Sequence, residues 1–279
     1  MLEPGLEVIP GIHLVHKTVG RSSFDVVRDF KRQAFEAGQK KLALGHGGTL
    51  DPFAEGLLLV LAGQATRLME LMHPLPKTYV ADVVWGVETD TCDLHGLPLA
   101  ECDASGLSPA ALEAVLGGFL GWHDQVPPVT SAKKIDGEAA YKKAHRGEVV
   151  EMKPCRVYLH AARWVAHDLP HRSTLELTCR GGFYVRSLVR DLGRVLGCGA
   201  HLKALHRTAI GPWADPDEGR PEILTGEALV PWCSARHLSE VEADHLVHGR
   251  AIPEGDLLPG AWAPPQGFPD PAAPIRALY

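Results

Sequence analysis

Over residues 24–37 apolar positions recur with a helical period, with Val27, Phe30 and Ala34 on one face and Arg28, Lys31 and Arg32 facing outward. Ser22 or Ser23 can cap this helix by accepting hydrogen bonds from the unpaired N–H groups of its first turn, and Gly38 supplies the stop. A different pattern covers residues 77–87, Lys-Thr-Tyr-Val-Ala-Asp-Val-Val-Trp-Gly-Val. It is rich in β-branched and aromatic residues and meets no breaker before Gly86, so it predicts a strand with Tyr79 near its start. Ser108 followed by Pro109 at a first helical position predicts a second helix that stops near Gly117-Gly118. Residues 174–180 alternate as a strand and Gly181-Gly182 breaks the pattern. Residues 184–196 then carry a helical stripe of Val185, Leu188, Val189, Leu192 and Leu196, ended by Gly197.

Strands and helices therefore interleave irregularly, which favours an α+β or mixed-sheet fold over a regular βαβ winding. Residues 125–137 are irregular and precede a short polar helix expected over residues 138–146, together reading as an exposed insertion on a scaffold. Beyond Pro231 the chain turns acidic and proline-rich, which places a domain boundary near residues 230–240. The length, 279 residues, suits one large domain with a small appendage, and 45% hydrophobic with 22% charged residues supplies a packed core.

Charge alters the picture. The net charge of −6 points away from a nucleic-acid protein, yet residues 125–212 hold 15 Lys+Arg against 7 Asp+Glu, while the segments on either side are acidic. One basic face suffices for a polyanion, because screening limits each charge to a reach of roughly 8–10 Å. The bland alternative is a solvated basic surface. Cys92, Cys102, Cys155, Cys179, Cys198 and Cys233 form no C-x-x-C pair, which argues against a zinc site or a disulfide scaffold and for reduced thiols filling the core. The N-terminus has no basic segment followed by an apolar run, and no stretch approaches the ~20 apolar residues of a membrane span. A soluble cytoplasmic protein with no membrane association is expected.

Candidate chemistry centres on Gly45-His46-Gly47-Gly48-Thr49-Leu50-Asp51-Pro52, where three glycines permit a tight turn that presents Asp51. Taken alone, Asp-Pro is equally a turn initiator or a helix cap. The apolar run that follows, residues 54–63, belongs to the core in either case.

This loop, with Ala54, Gly56 and Gly63-Gln64-Ala65-Thr66-Arg67, resembles the signature of the TruB-type tRNA pseudouridine 55 synthases. Further matches follow in order: Lys77-Thr78-Tyr79, then Gly86-Val87-Glu88-Thr89-Asp90-Thr91 with Asp93 and Gly96, then Gln125-Val126-Pro127-Pro128 with Ser131-Ala132-Lys133. Gly182-Phe183-Tyr184-Val185-Arg186-Ser187, Asp191-Leu192-Gly193 and Leu196-Gly197-Cys198-Gly199-Ala200-His201-Leu202 complete the series, which spans residues 10–212.

The resemblance implies an α+β fold with a mixed, largely antiparallel central sheet and a catalytic cleft. Residues 1–235 would form the catalytic domain, with an RNA-gripping insertion at about 124–153, and residues 236–279 a shortened PUA-like region. It implies a monomer that needs no metal, organic cofactor or protein partner and acts on the T stem-loop of tRNA. Asp51 inherits the role of nucleophile toward one flipped-out uridine, by attack on the base, attack on the sugar or elimination. Tyr79 would stack on the uracil, Tyr184 line the pocket, Leu205 supply an apolar wall and His46 contact the gap left by the extruded base. Arg186 would pair with Asp51 and hold it ionised, with its pKa lowered. Lys133, Lys142 and Lys143, in the insertion, would touch RNA phosphates.

Two departures stand out: Thr18 follows Lys17 where the family has proline, and Gly47 replaces a more usual threonine. Arg186, Arg190 and Arg194 recur every four residues, which on the bland reading is a solvated helix face, and that reading is taken for Arg194. A glycosidase-like pair, Asp51 with Glu55 one helical turn on, is an enzymatic alternative that leaves the basic segment unexplained. A zinc base deaminase fails because Pro154-Cys155 is not followed by the required second cysteine. A third alternative is an RNA-binding or tRNA-folding module whose catalysis is incidental.

Overall fold

A computed structural model describes residues 6–131, 133–135, 138–140, 143, 146, 148, 150–216, 222–270 and 276–278. The chain opens with β1 (Gly11–Lys17), α1 (Ser23–Glu36), β2 (Leu44–His46) and β3 (Glu55–Ala62), then a 3₁₀ segment (Gly63–Leu68) running into α2 (Met69–Met72). Next come β4 (Lys77–Trp85), β5 (Val87–Thr89), β6 (Pro98–Glu101), α3 (Pro109–Gly117), β7 (Gly121–Gln125), β8 (Lys134–Ile135) and β9 (Glu138–Ala139). The remainder is β10 (Cys155–Asp168), β11 (Arg172–Cys179), α4 (Val185–Val195), β12 (Ala200–Ile210), β13 (Trp213–Ala214), β14 (Glu222–Leu224), β15 (Ala235–His237), α5 (Glu240–Val247) and β16 (Arg276–Leu278).

Ten strands build the central sheet, in the order β14-β1-β3-β12-β4-β11-β10-β7, with β2 paired to β3 and β13 to β12. The β3–β12 pair is parallel and the other pairs of this sheet are antiparallel, so the mixed, largely antiparallel sheet of an α+β fold is what forms. Alternation sets the faces. On β4, Tyr79, Ala81, Val83 and Trp85 are buried beside Leu175 and Leu177 of the paired β11, with Leu188 and Leu192 of α4 and Leu112 of α3 completing that core. β3 is buried on both faces: Leu58 and Val60 meet Val26 and Phe30 of α1, while Leu57, Leu59 and Leu61 meet Met72, Trp213 and Trp232.

Local signals act as expected at several boundaries. The Ser22 side chain accepts from the Asp25 N–H while the Asp25 carboxylate accepts from the Ser22 N–H, a capping box that starts α1. Ser108 caps α3 with Pro109 in its first turn. The strand read over residues 77–87 stops at Trp85, because Gly86 takes φ +91° and turns the chain into β5. Of the polar helix expected over residues 138–146, Glu138 and Ala139 instead pair with Lys134 and Ile135, Ala140 and Lys143 are helical, and much of the rest lies outside the described residues. All six cysteines are free thiols; Cys92, Cys179, Cys198 and Cys233 are buried. Among the described residues no helix is long and apolar enough to cross a membrane.

Candidate active site

Asp51 sits in the loop between β2 and β3, which enters the sheet where β3 and β12 run parallel. Two cations buried in strands hold this loop from below. Arg207 of β12 donates to the carbonyls of Gly48 (3.2 Å), Thr49 (3.2 Å) and Leu57 (2.7 Å), and Lys17 of β1 donates to the carbonyls of Ala54 and Arg21. Ser23, the first residue of α1, bonds Leu50 twice, accepting from its N–H at 2.8 Å and donating to its carbonyl at 3.1 Å. Glycine is needed once in the loop and once where β3 begins. Gly48 has φ +137°, and a Cβ on Gly56, at φ +108°, would lie 2.4 Å from the Arg207 carbonyl oxygen.

Above the loop stands Arg186 on α4, with a side chain only 6% exposed. Its Nε meets Asp51 Oδ2 at 2.9 Å and its Nη2 donates to Asp51 Oδ1 at 3.0 Å, a fork that fixes the carboxylate plane. Nη1 turns the other way, to Asp93 Oδ2 (3.1 Å), the Thr91 carbonyl (3.1 Å) and Thr130 Oγ1 (2.7 Å). Gln125 secures the start of α4, its Oε1 accepting from the Tyr184 N–H at 2.9 Å.

The result is a cleft of about 390 Å³ lined by His46, Asp51, Tyr79, Lys133, Tyr184, Arg186 and Leu205, together with Arg207 and Lys77. Lys133 also donates to the Lys153 carbonyl at 3.3 Å. Lys143 is not among the residues that line the cleft, and Lys142 lies outside the described residues. Seven of the nine site residues named from the sequence thus share one cavity.

The electrostatics correct one expectation. Burial pushes the Asp51 carboxyl above the ordinary carboxylate range and Asp93 pushes it further, whereas Arg186 and Lys17 pull it down without prevailing. Arg186 therefore offsets a larger penalty instead of holding Asp51 below its usual value. Burial also pushes the Tyr79 phenol up to about 12, so it stays protonated at neutral pH. The His46 imidazole is lowered by burial and further by Arg207. Lys77 is brought down to about 7 by burial, while its Nζ donates to the carbonyls of Met72, His73 and Leu75.

Three other readings change. Arg190 is buried, donating to the Val126 carbonyl at 3.0 Å, whereas Arg194 is exposed as expected but not idle, gripping Glu88 at 2.6 and 2.9 Å. Glu55 begins β3, which removes the helical offset that a paired-carboxylate hydrolase requires. Part of the basic segment is met internally, since Arg146, Arg163, Arg186, Arg190 and Arg194 all pair with carboxylates. Sequence reasoning gave no site role to Lys17 or Asp93, although both stand in motifs, and did not single out Arg207. A signal for Arg207 existed: it lies two residues after Leu205, on the same strand face, so a charge there points into the cleft.

Residues 32–185 match the model of the TruB family pseudouridylate synthase N-terminal domain, and residues 186–231 that of the tRNA pseudouridylate synthase B C-terminal domain. The chain is 44% identical over 222 residues to tRNA pseudouridine synthase B of Xanthomonas campestris pv. campestris (strain 8004), covering 78% of this chain and 68% of that protein. It is 38% identical over 271 residues to tRNA pseudouridine synthase B of Thermobifida fusca (strain YX), covering 91% of each. In fold it is similar to a chain in the crystal structure of a Cbf5-Nop10-Gar1 complex, with TM-score 0.61 and 22% identity over 86% of this chain and 67% of that one. The matched regions include both the loop of Asp51 and the helix of Arg186, and the chain belongs to the TruB family of pseudouridylate synthases.

Proposed function

We propose that this protein isomerises uridine 55 in the T arm of tRNA to pseudouridine, with Asp51 as the nucleophile. The observation that carries the reading is the Asp51 carboxylate, oriented by the two Arg186 hydrogen bonds at the floor of a cleft walled by Tyr79, Tyr184 and Leu205. A base reaches such a floor only after leaving the stack, and an aromatic ring beside it recovers ~1–3 kcal/mol of stacking. The N1–C1′ bond breaks, the uracil turns, C5 bonds to C1′, and the proton on C5 is lost as N1 regains one. No oxidant, metal or organic cofactor enters this balance. Asp51 serves by attack on the base or sugar, or by starting elimination. Tyr79, a phenol that burial pushes up to about 12, stacks on the uracil as a neutral ring.

In this reading residues 1–235 carry the chemistry, residues 236–279 form a small PUA-like appendage, and the protein works as a monomer. His46 contacts the gap left by the base, and Lys133, Lys142 and Lys143 contact phosphates. The test is incubation with unmodified tRNA followed by chemical mapping of pseudouridine. One modified position, uridine 55, is expected with wild type and none with Asp51→Asn, while Asp51→Asn binds tRNA within about tenfold of wild type because the amide keeps the shape but lacks the nucleophilic oxyanion. Modification elsewhere would overturn the target, and turnover by Asp51→Asn above a few per cent of wild type would overturn the nucleophile.

A further inference from the structure

On the opposite side of the strands that pin the Asp51 loop lies a second cluster. His16 precedes Lys17 on β1 and His206 precedes Arg207 on β12, so strand alternation sends the two imidazoles away from the cleft. They converge on Asp215, just beyond β13. Asp215 Oδ2 lies 2.7 Å from His16 Nδ1 and 2.7 Å from His206 Nε2, and the two rings are 6.1 Å apart between centroids. The three donor atoms lie within 4.8 Å of one another. The backbone holds them there: the Asp215 N–H donates to the Thr208 carbonyl at 2.8 Å, and a Cβ on Gly56 would come within 2.5 Å of His206 Cδ2.

The geometry points to a binding site for one divalent transition-metal ion of the zinc class, formed by His16 Nδ1, His206 Nε2 and Asp215. Two imidazoles and a carboxylate make a donor set suited to zinc and poorly suited to magnesium or calcium, which prefer oxygen donors. Bonds of ~2.0–2.1 Å at tetrahedral angles place donors about 3.3 Å apart, so the present contacts must open by roughly half an ångström. On binding, each neutral ring carries its single proton on the nitrogen turned away from the ion, Nε2 of His16 and Nδ1 of His206, which leaves the nitrogen facing Asp215 free to ligate. A second observation favours a cation: Asp215 Oδ1 is buried and has no hydrogen-bond partner among the described residues. Access comes over His206, whose side chain is 38% exposed against 14% for His16 and 11% for Asp215. Bound there, the ion ties β1, β12 and the chain after β13 together behind the loop of Asp51, which is a structural role separate from the uridine chemistry.

The test uses the full chain, stripped with a chelator and titrated with zinc by calorimetry, with native mass spectrometry for stoichiometry. One equivalent is expected, a Tm that rises with free zinc, and affinity at least about tenfold weaker in both His206→Ala and Asp215→Asn. Cobalt substitution of wild type separates this site from the six thiols: the expected spectrum has tetrahedral d–d absorption without thiolate charge transfer. Absence of stoichiometric binding by wild type would overturn the proposal, as would unchanged affinity in the two variants or a thiolate band. The cobalt spectrum needs no variant, so it decides the matter even if a substitution impairs folding.

Discussion

Arg186 is the residue through which orientation, ionisation and stability of the site meet, and Arg186→Ala separates the three. Orientation rests on the fork to Asp51, with contacts of 2.9 and 3.0 Å. Hydrogen bonds to charged groups contribute ~1.5–3 kcal/mol each, so losing two at the lower figure removes ~3 kcal/mol, or about two orders of magnitude in single-turnover rate if both persist in the transition state. Stability falls as well. The substitution leaves Asp93, with a side chain 8% exposed, without its cation, and breaking a buried pair from one side costs ~3–5 kcal/mol. At ~2–4 °C per kcal/mol for chains of about this size, Tm drops by roughly 6–20 °C. Ionisation supplies the sharpest test. Arg186 pulls the Asp51 carboxyl down and Asp93 pushes it up, against a background of burial that pushes it up most. Removing Arg186 therefore moves the acidic limb of the pH–rate profile upward, whereas Asp93→Asn moves it downward. Arg186→Lys falls between wild type and Arg186→Ala, because a single mobile ammonium cannot reproduce the fork. Single-turnover pseudouridine formation between pH 4 and 9, with tRNA binding measured alongside, reads all of these. If the limbs of wild type and Arg186→Ala coincide and only the heights differ, Arg186 does not govern the ionisation of Asp51, and its part is confined to positioning.

The same balance predicts that Asp51→Asn does not destabilise the protein. A carboxyl raised in the folded state disfavours folding once ionised, so at pH 7 the variant's Tm equals or exceeds wild type, and the gap closes below the ordinary carboxylate range; a drop of several degrees at pH 7 would count against it. Tyr79→Phe should keep the ~1–3 kcal/mol of base stacking and Tyr79→Leu should lose it, measured as kcat/KM on tRNA; equal losses would place the importance in the hydroxyl. Gly56→Ala sets a Cβ 2.4 Å from the Arg207 carbonyl at a positive φ, so it should cost at least ~1–3 kcal/mol by thermal denaturation and lower turnover through the displaced loop. Lys133→Glu should make tRNA affinity less steep in salt by ~0.7–0.9 in log–log slope for each phosphate it no longer neutralises, and an unchanged slope would remove Lys133 from the phosphate-binding set.

Local chemistry was legible before any fold was known. Ser22 and Ser108 announce helix starts because a cap is satisfied within three residues, and the stripe from Val185 to Leu192 announces the buried face of α4 because helical periodicity is a property of one segment. The glycines around Asp51 likewise mark a turn that presents a side chain. What neighbours that side chain could not be read in the same way. Lys17, Asp93 and Arg207 reach the site through pairings set by the sheet, as when Arg207 bonds the Leu57 carbonyl 150 residues away and Arg194 meets Glu88 across 106. Nor could the direction of the Asp51 ionisation be read, since it turns on whether burial outweighs one arginine, and burial exists only once the chain is packed. Residue order was enough to say which segments curl or extend and which side chains have the chemistry to act. Which charges share a low-dielectric space was settled by packing, because long-range pairing brings β1, β3, β12 and α4 together and local propensity carries no record of distance.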